Sequence, residues 1–138
     1  MDTQMMDMMS MNLPSMMADT DTKLMQDCIE ACSATEQACT MCADAASGSG
    51  MDHEMARMMG MCLSTADMAN TMMRMMLRPT STDLPSMMAM LEAMMMMARA
   101  CADECGGMDN DYCRMCAKVC MNCVEACSAL MNSMPVAS

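Results

Sequence analysis

Five cysteines form an unbroken seam near the C-terminus: Cys113, Cys116, Cys120, Cys123 and Cys127, in steps of 3, 4, 3 and 4 residues. That rhythm is the period of one buried helix stripe. Seven more cysteines follow the same spacing or stand beside it: Cys28, Cys32, Cys39, Cys42, Cys62, Cys101 and Cys105. Residues three or four apart on a helix have Cβ atoms about 5–6 Å apart. Metal–thiolate bonds are near ~2.3 Å for zinc, so two opposed bonds of that kind span roughly 4.5 Å. Thiolates leaning toward one another can therefore hold a two-coordinate ion without distorting the helix. Cu(I) accepts two or three soft sulfur ligands, thiolate or thioether. Silver and mercury share that preference.

Other uses of the thiols fit less well. Disulfides want Cβ atoms near ~3.8 Å, closer than intact helical pairs allow, although cross-helix bridges stay open. Structural zinc takes four ligands, typically from turns and flanking loops, whereas these cysteines lie mid-helix. Cys116, Cys120 and Cys123 spell CxxxCxxC, an iron–sulfur spacing, but the heptad produces it as a by-product. A free cysteine can also be a small buried hydrophobe, a reading that suits Cys62 better than twelve residues in register.

The chain has 32 methionines, and a methionine stripe is more often core filler than ligand. Those next to thiols are the exception. Counting back from the turns places Met58 beside Cys39 and Met55 beside Cys42, with Met94 and Met97 near Cys120 and Met121. Mixed thiolate–thioether sites are expected there. His53, the single histidine, shares one end of the molecule with Met51 and Met108. These three are candidates for a mouth through which ions pass, although His53 also reads as an exposed residue at a helix start.

The elements that must position these sulfurs are helices. The apolar content is Met, Ala and Cys, with one Tyr and no Phe or Trp. Ala and Met are strong helix formers, and β-branched aliphatics are scarce. Turns are expected at Ser47-Gly48-Ser49-Gly50, at Arg78 to Pro85 with Thr82 or Asp83 as N-cap, and at Gly106-Gly107. They leave helices over about 21–46, 51–77, 85–105 and 109–133. The expected fold is all-α, an antiparallel up-and-down four-helix bundle over 21–134. Residues 1–20, broken by Pro14, read as a Met-rich tail, mobile or at most one short helix. The inward stripes are Met25, Cys28, Cys32, Thr35, Cys39, Cys42 and Ala46; Met55, Met58, Cys62, Thr65, Ala69, Met72 and Met76; Met87, Met90, Met94, Met97 or Ala98, Cys101 and Cys105; and the five-cysteine seam with Leu130 and Met134.

The formal charge is −11, from 7 basic and 18 acidic residues, which argues against nucleic-acid partners. No apolar run is long enough to span a membrane, and no signal peptide is visible. No phosphate loop, HExxH or Ser/His/Asp set is present, and one histidine cannot supply a di-iron bundle site.

The segments CIEACSATEQACTMC and CADECGGMDNDYCRMCAKVCMNCVEAC resemble the bacterial four-helix-bundle copper storage proteins, over about residues 22–133. The resemblance implies a Cys-lined lumen holding many Cu(I) ions, a homotetramer, and a mouth at the end bearing the first and third turns. It implies a cytosolic or an exported protein, and the Met-rich mouth points to export. The family usually places several cysteines in the second helix, where this chain has only Cys62. The expected function is storage of multiple Cu(I) ions, without catalysis, and with a copper-receiving protein as a possible partner. Two rivals remain: a carrier with few exchangeable sites, and a thiol or methionine redox protein.

Overall fold

The computed structural model describes residues 2–11, 22–48, 50 and 52–135. The expected break at Pro14 and the mouth candidate Met51 lie outside the described residues. Among these residues are five α-helices, one short 3-10 turn and no strand. The helices are α1 (Thr3–Met11), α2 (Thr22–Ser47), α3 (His53–Met76), α4 (Leu84–Gly106) and α5 (Asp111–Ser133). None is long and apolar enough to cross a membrane.

Side-chain caps fix where the long helices begin. Asp52 accepts from the Met55 amide at 2.8 Å, Asp83 from the Ser86 amide at 2.7 Å, and Asn110 from the Cys113 amide at 2.9 Å. Each satisfies a backbone donor that the first turn leaves unpaired. Asp83, not Thr82, is the cap of α4, with Pro85 in its first turn. Gly50 takes φ +80° between α2 and α3, a conformation that favours glycine. Gly107 ends α4 at φ −81°, so it closes that helix without the left-handed turn usual for a glycine stop.

The packing contacts run from α2 to α3, α3 to α4, α4 to α5, and from α5 back to α2. Cross-helix pairs set the directions. Cys28 near the start of α2 meets Cys127 near the end of α5, and Cys42 near the end of α2 meets Cys113 at the start of α5. Arg57 near the start of α3 pairs at 3.0 Å with Glu104 near the end of α4. The turns after α2 and α4 therefore share one end of the molecule, called here the mouth end.

Three stripes face inward as the periodicity requires, and one is shifted. Met25, Cys28, Cys32, Thr35, Cys39, Cys42 and Ala46 of α2 are all buried. So are Cys113, Cys116, Cys120, Cys123, Cys127 and Leu130 of α5. In α3 Met55 is only half-buried, and the stripe starts at Met58. In α4 the inward residues are Met87, Leu91, Met94, Ala98, Cys101 and Cys105. Leu91 takes the place expected for Met90, and of the two residues expected next, Ala98 is the one that faces inward; Met90 and Met97 are half-buried. The segment expected as a tail contains α1, which packs on α2 and buries Met9. Asp2 caps it, accepting from the Gln4 amide at 2.7 Å.

Candidate metal centre

All twelve cysteines are free thiols, and none is more than 2% exposed. They come from α2, α3, α4 and α5 and form two ensembles. Nearer the mouth, Cys39 of α2 lies 3.9 Å from Cys101, 3.7 Å from Cys116 and 3.7 Å from Cys120. Cys62 of α3 lies 3.8 Å from Cys101 and 3.6 Å from Cys105. Cys42 is 3.9 Å from Cys113. Deeper in, Cys28 lies 3.5 Å from Cys127 and Cys32 3.9 Å from Cys123. Thr35, between Cys32 and Cys39 on the α2 stripe, and Thr65, one step beyond Cys62 on α3, are both fully buried. Their hydroxyls donate back to the carbonyls of Ala31 at 2.9 Å and Met61 at 2.7 Å, which satisfies their donors.

Three sets of thiols have all their sulfurs within 4.8 Å of one another: Cys39, Cys62, Cys101 and Cys116; Cys42, Cys62, Cys105 and Cys116; and Cys28, Cys32 and Cys127. An ion with three sulfur bonds of ~2.3 Å needs sulfurs roughly 4 Å apart, close to the spacings here. The two four-thiol sets share Cys62 and Cys116. They cannot both close as independent tetrahedral zinc centres, because each would consume all four of its ligands. Shared thiolates instead suit ions of low coordination number bridged into a cluster.

One thioether joins the set. Met58 Sδ is 3.5 Å from Cys62 Sγ and 3.8 Å from Cys42 Sγ. The residue opposite Met58 is thus Cys42, not Cys39, a displacement of about one helical turn. Helix α2 runs on to Ser47 and α3 starts at His53, so the turn is centred nearer α3 than the glycine pattern indicated. The same displacement leaves Met55 nearer the surface. On α4, Met94 is fully buried, while Met97 stands off the inward stripe. Cys120, expected near those methionines, lies 3.7 Å from Cys39.

Proximity couples the thiols. Burial, then the charge on Cys42, pushes the Cys113 thiol up to about 11. Cys123 is pushed up to about 12, chiefly by its hydrogen bond with Cys127, with burial adding to it. Cys116 moves the other way: hydrogen bonds from Cys101, Cys105, Cys120 and Cys39 favour its thiolate. Bonds from Cys123, Cys28 and Cys32 do the same for Cys127. In the outer ensemble Cys101 and Cys42 are also drawn toward the thiolate, each chiefly by its bond from Cys105, whereas in the deeper one Cys127 stands alone among thiols that keep their protons.

At the mouth end, His53 and Met108 line one cleft of about 670 Å³ between α3 and α4, with Arg57, Met61, Asp103 and Glu104. His53 is exposed and Met108 half-buried. The Arg57–Glu104 pair ties the two helices across this cleft. It was not legible in the sequence, because a pairing between helices depends on their register.

The copper storage protein family profile matches residues 21–132. The chain belongs to that family. Its structure is similar to that of Ccsp, a copper storage protein from Streptomyces lividans, loaded with 10 copper equivalents. The TM-score is 0.83 at 30% identity, covering 93% of this chain and 98% of that one. It is also similar to a cytosolic copper storage protein from the same organism carrying five coppers. There the TM-score is 0.75 at 33% identity, over 80% of this chain and 93% of that one. Among curated proteins, the cysteine-rich YhjQ of Bacillus subtilis is 30% identical over 103 residues, 75% of this chain and 92% of its own. In this family setting the two thiol ensembles read as a reservoir for Cu(I).

Proposed function

We propose that the chain stores multiple Cu(I) ions inside an antiparallel four-helix bundle made by residues 21–134, to which residues 1–20 are appended. The observation that carries this reading is the sharing of Cys62 and Cys116 between two buried four-thiol groups. Sharing gives a continuous store rather than a few isolated sites. The ligands are Cys28, Cys32, Cys39, Cys42, Cys62, Cys101, Cys105, Cys113, Cys116, Cys120, Cys123 and Cys127, each ion taking about two or three sulfurs. Met58 is the best-placed thioether, followed by the buried Met94; Met55 and Met97 are lesser candidates. Ions pass through the mouth end, where His53 and Met108 line the cleft. The role is non-catalytic.

Each incoming Cu(I) displaces thiol protons, and its charge neutralises the thiolates it gathers. Twelve thiols at these spacings need a reducing compartment to stay free. The relative described as cytosolic supports that alternative over the export suggested by the methionines of the mouth. A homo-oligomer, a tetramer as the resemblance implies, and a copper-receiving partner complete the proposal.

Anaerobic Cu(I) titration against a competing chelator, with a free-thiol count, tests it. A break well above two ions per chain supports storage. A break at one or two supports a carrier, and no break with lost thiols supports a redox protein.

A further inference from the structure

The helix α1 presents a second population of sulfur. Met5, Met8 and Met11 are 47%, 54% and 80% exposed. They recur at every third position of a nine-residue helix. Met9 of the same helix is buried in the core, so α1 is anchored while these three thioethers stay exposed.

Side chains three apart on a helix have Cβ atoms about 5–6 Å apart. Two metal–sulfur bonds of ~2.3 Å close that gap between Met5 and Met8. Met8 and Met11 stand three apart in the same way, so Met8 can share an ion with either neighbour. The charge around them suits a cation. Asp7 lies on the helix, Asp2 caps it, and α1 contains no Lys, Arg or His. Thioethers carry no proton to displace, and they select Cu(I) over harder ions. Every cysteine is at most 2% exposed, whereas these methionines face solvent.

We propose that α1 carries a separate, thioether-only site for Cu(I), outside the thiol-lined core, in which Met8 pairs with Met5 or with Met11 to hold the ion by two sulfurs. The site collects an ion at the surface without deprotonation, whereas the core must release protons to load. It goes beyond the storage reading and does not depend on it.

The test uses the full chain with 13C-labelled methionine methyls, loaded anaerobically with Cu(I) until its thiol sites are filled. Further Cu(I) should shift the methyl signals of Met5, Met8 and Met11, assigned from single leucine replacements, and should do so equally at pH 5 and pH 7. The M5L/M8L/M11L variant should take up about one ion fewer per chain, with its thiol-dependent uptake and helix content unchanged. Methyl signals that stay in place in the unmodified chain overturn the proposal, as does an unchanged total in the variant. A variant that alters only the sedimenting mass also overturns it, making the stripe a contact between copies. Shifted methyl signals with unfilled thiol sites would sink the storage reading and leave this one standing.

Discussion

The interior is made of two materials. From the mouth inward it is thiol: eight cysteines of the outer ensemble with Met58, then Cys28, Cys32, Cys123 and Cys127. At the opposite end, where α2 and α4 begin and α3 and α5 finish, it is Met25, Met72, Met76, Met87, Leu91 and Leu130, all fully buried. A buried Leu or Met side chain contributes about 1.5–3 kcal/mol through water exclusion. A thiol contributes less hydrophobic energy but adds reactivity. One end therefore anchors the helices while the other keeps its chemistry available, and the metal-free chain should retain its helices in circular dichroism.

That division of labour can be broken from either side. The largest expected effect is on copper. In the C62A/C116A variant the shared corners of both four-thiol groups are gone, and uptake should fall by about three ions or more. A fall of only one or two in chelator titration would mean that ligands are not shared. At the other end, Leu91→Ala should destabilise the metal-free fold by about 2–5 kcal/mol in denaturant unfolding. The folded fraction should still take up a full load of copper; a loss of capacity would show that the two ends are not separable.

The shifted thiols add a pH dependence of definite sign. Cys113 and Cys123 titrate at about 11 and about 12 in the folded chain, against 9.0 for a free thiol. The folded state keeps protons that the unfolded state releases, so this contribution is complete below pH 9.0 and is lost as the pH rises through 11 and 12. Thermal melts of the metal-free chain should fall across that window. Copper loading must displace the same protons, so apparent Cu(I) affinity should rise between pH 6 and 8. A flat profile in both measurements would remove the coupling between thiols. A smaller effect is expected from Met58→Leu, which conserves volume and should cost less than ~1.5 kcal/mol. It should weaken Cu(I) binding near Cys42 and Cys62 without changing the thiol count. Smallest is Gly60→Ala, whose added methyl meets nothing within 4 Å. It should stabilise α3 by about 1 kcal/mol at most, with copper uptake unchanged.

The same two ends explain how much was legible in the sequence. The thiol stripes of α2 and α5 could be read because charged residues alternate with them, as Glu30 and Lys118 do. In α4 the run Met94–Met97 is apolar throughout, so period alone could not tell Met90 from Leu91 or Met97 from Ala98. The pairing of Met58 with Cys42 depended on where the α2–α3 turn is centred, a property of backbone geometry that composition does not carry. The order in α1 was hidden by its low complexity; its Asp2 cap and the buried Met9 are what the methionine count obscured.

Anomalous diffraction at the copper edge, from crystals of the anaerobically loaded chain, tests the central claim most directly. The account predicts a chain of copper peaks confined to the space between Cys28–Cys127 and Cys42–Cys113, each within bonding distance of two or three sulfurs. One isolated peak, or peaks among Met72, Met76 and Leu91 with the thiol region empty, would contradict it.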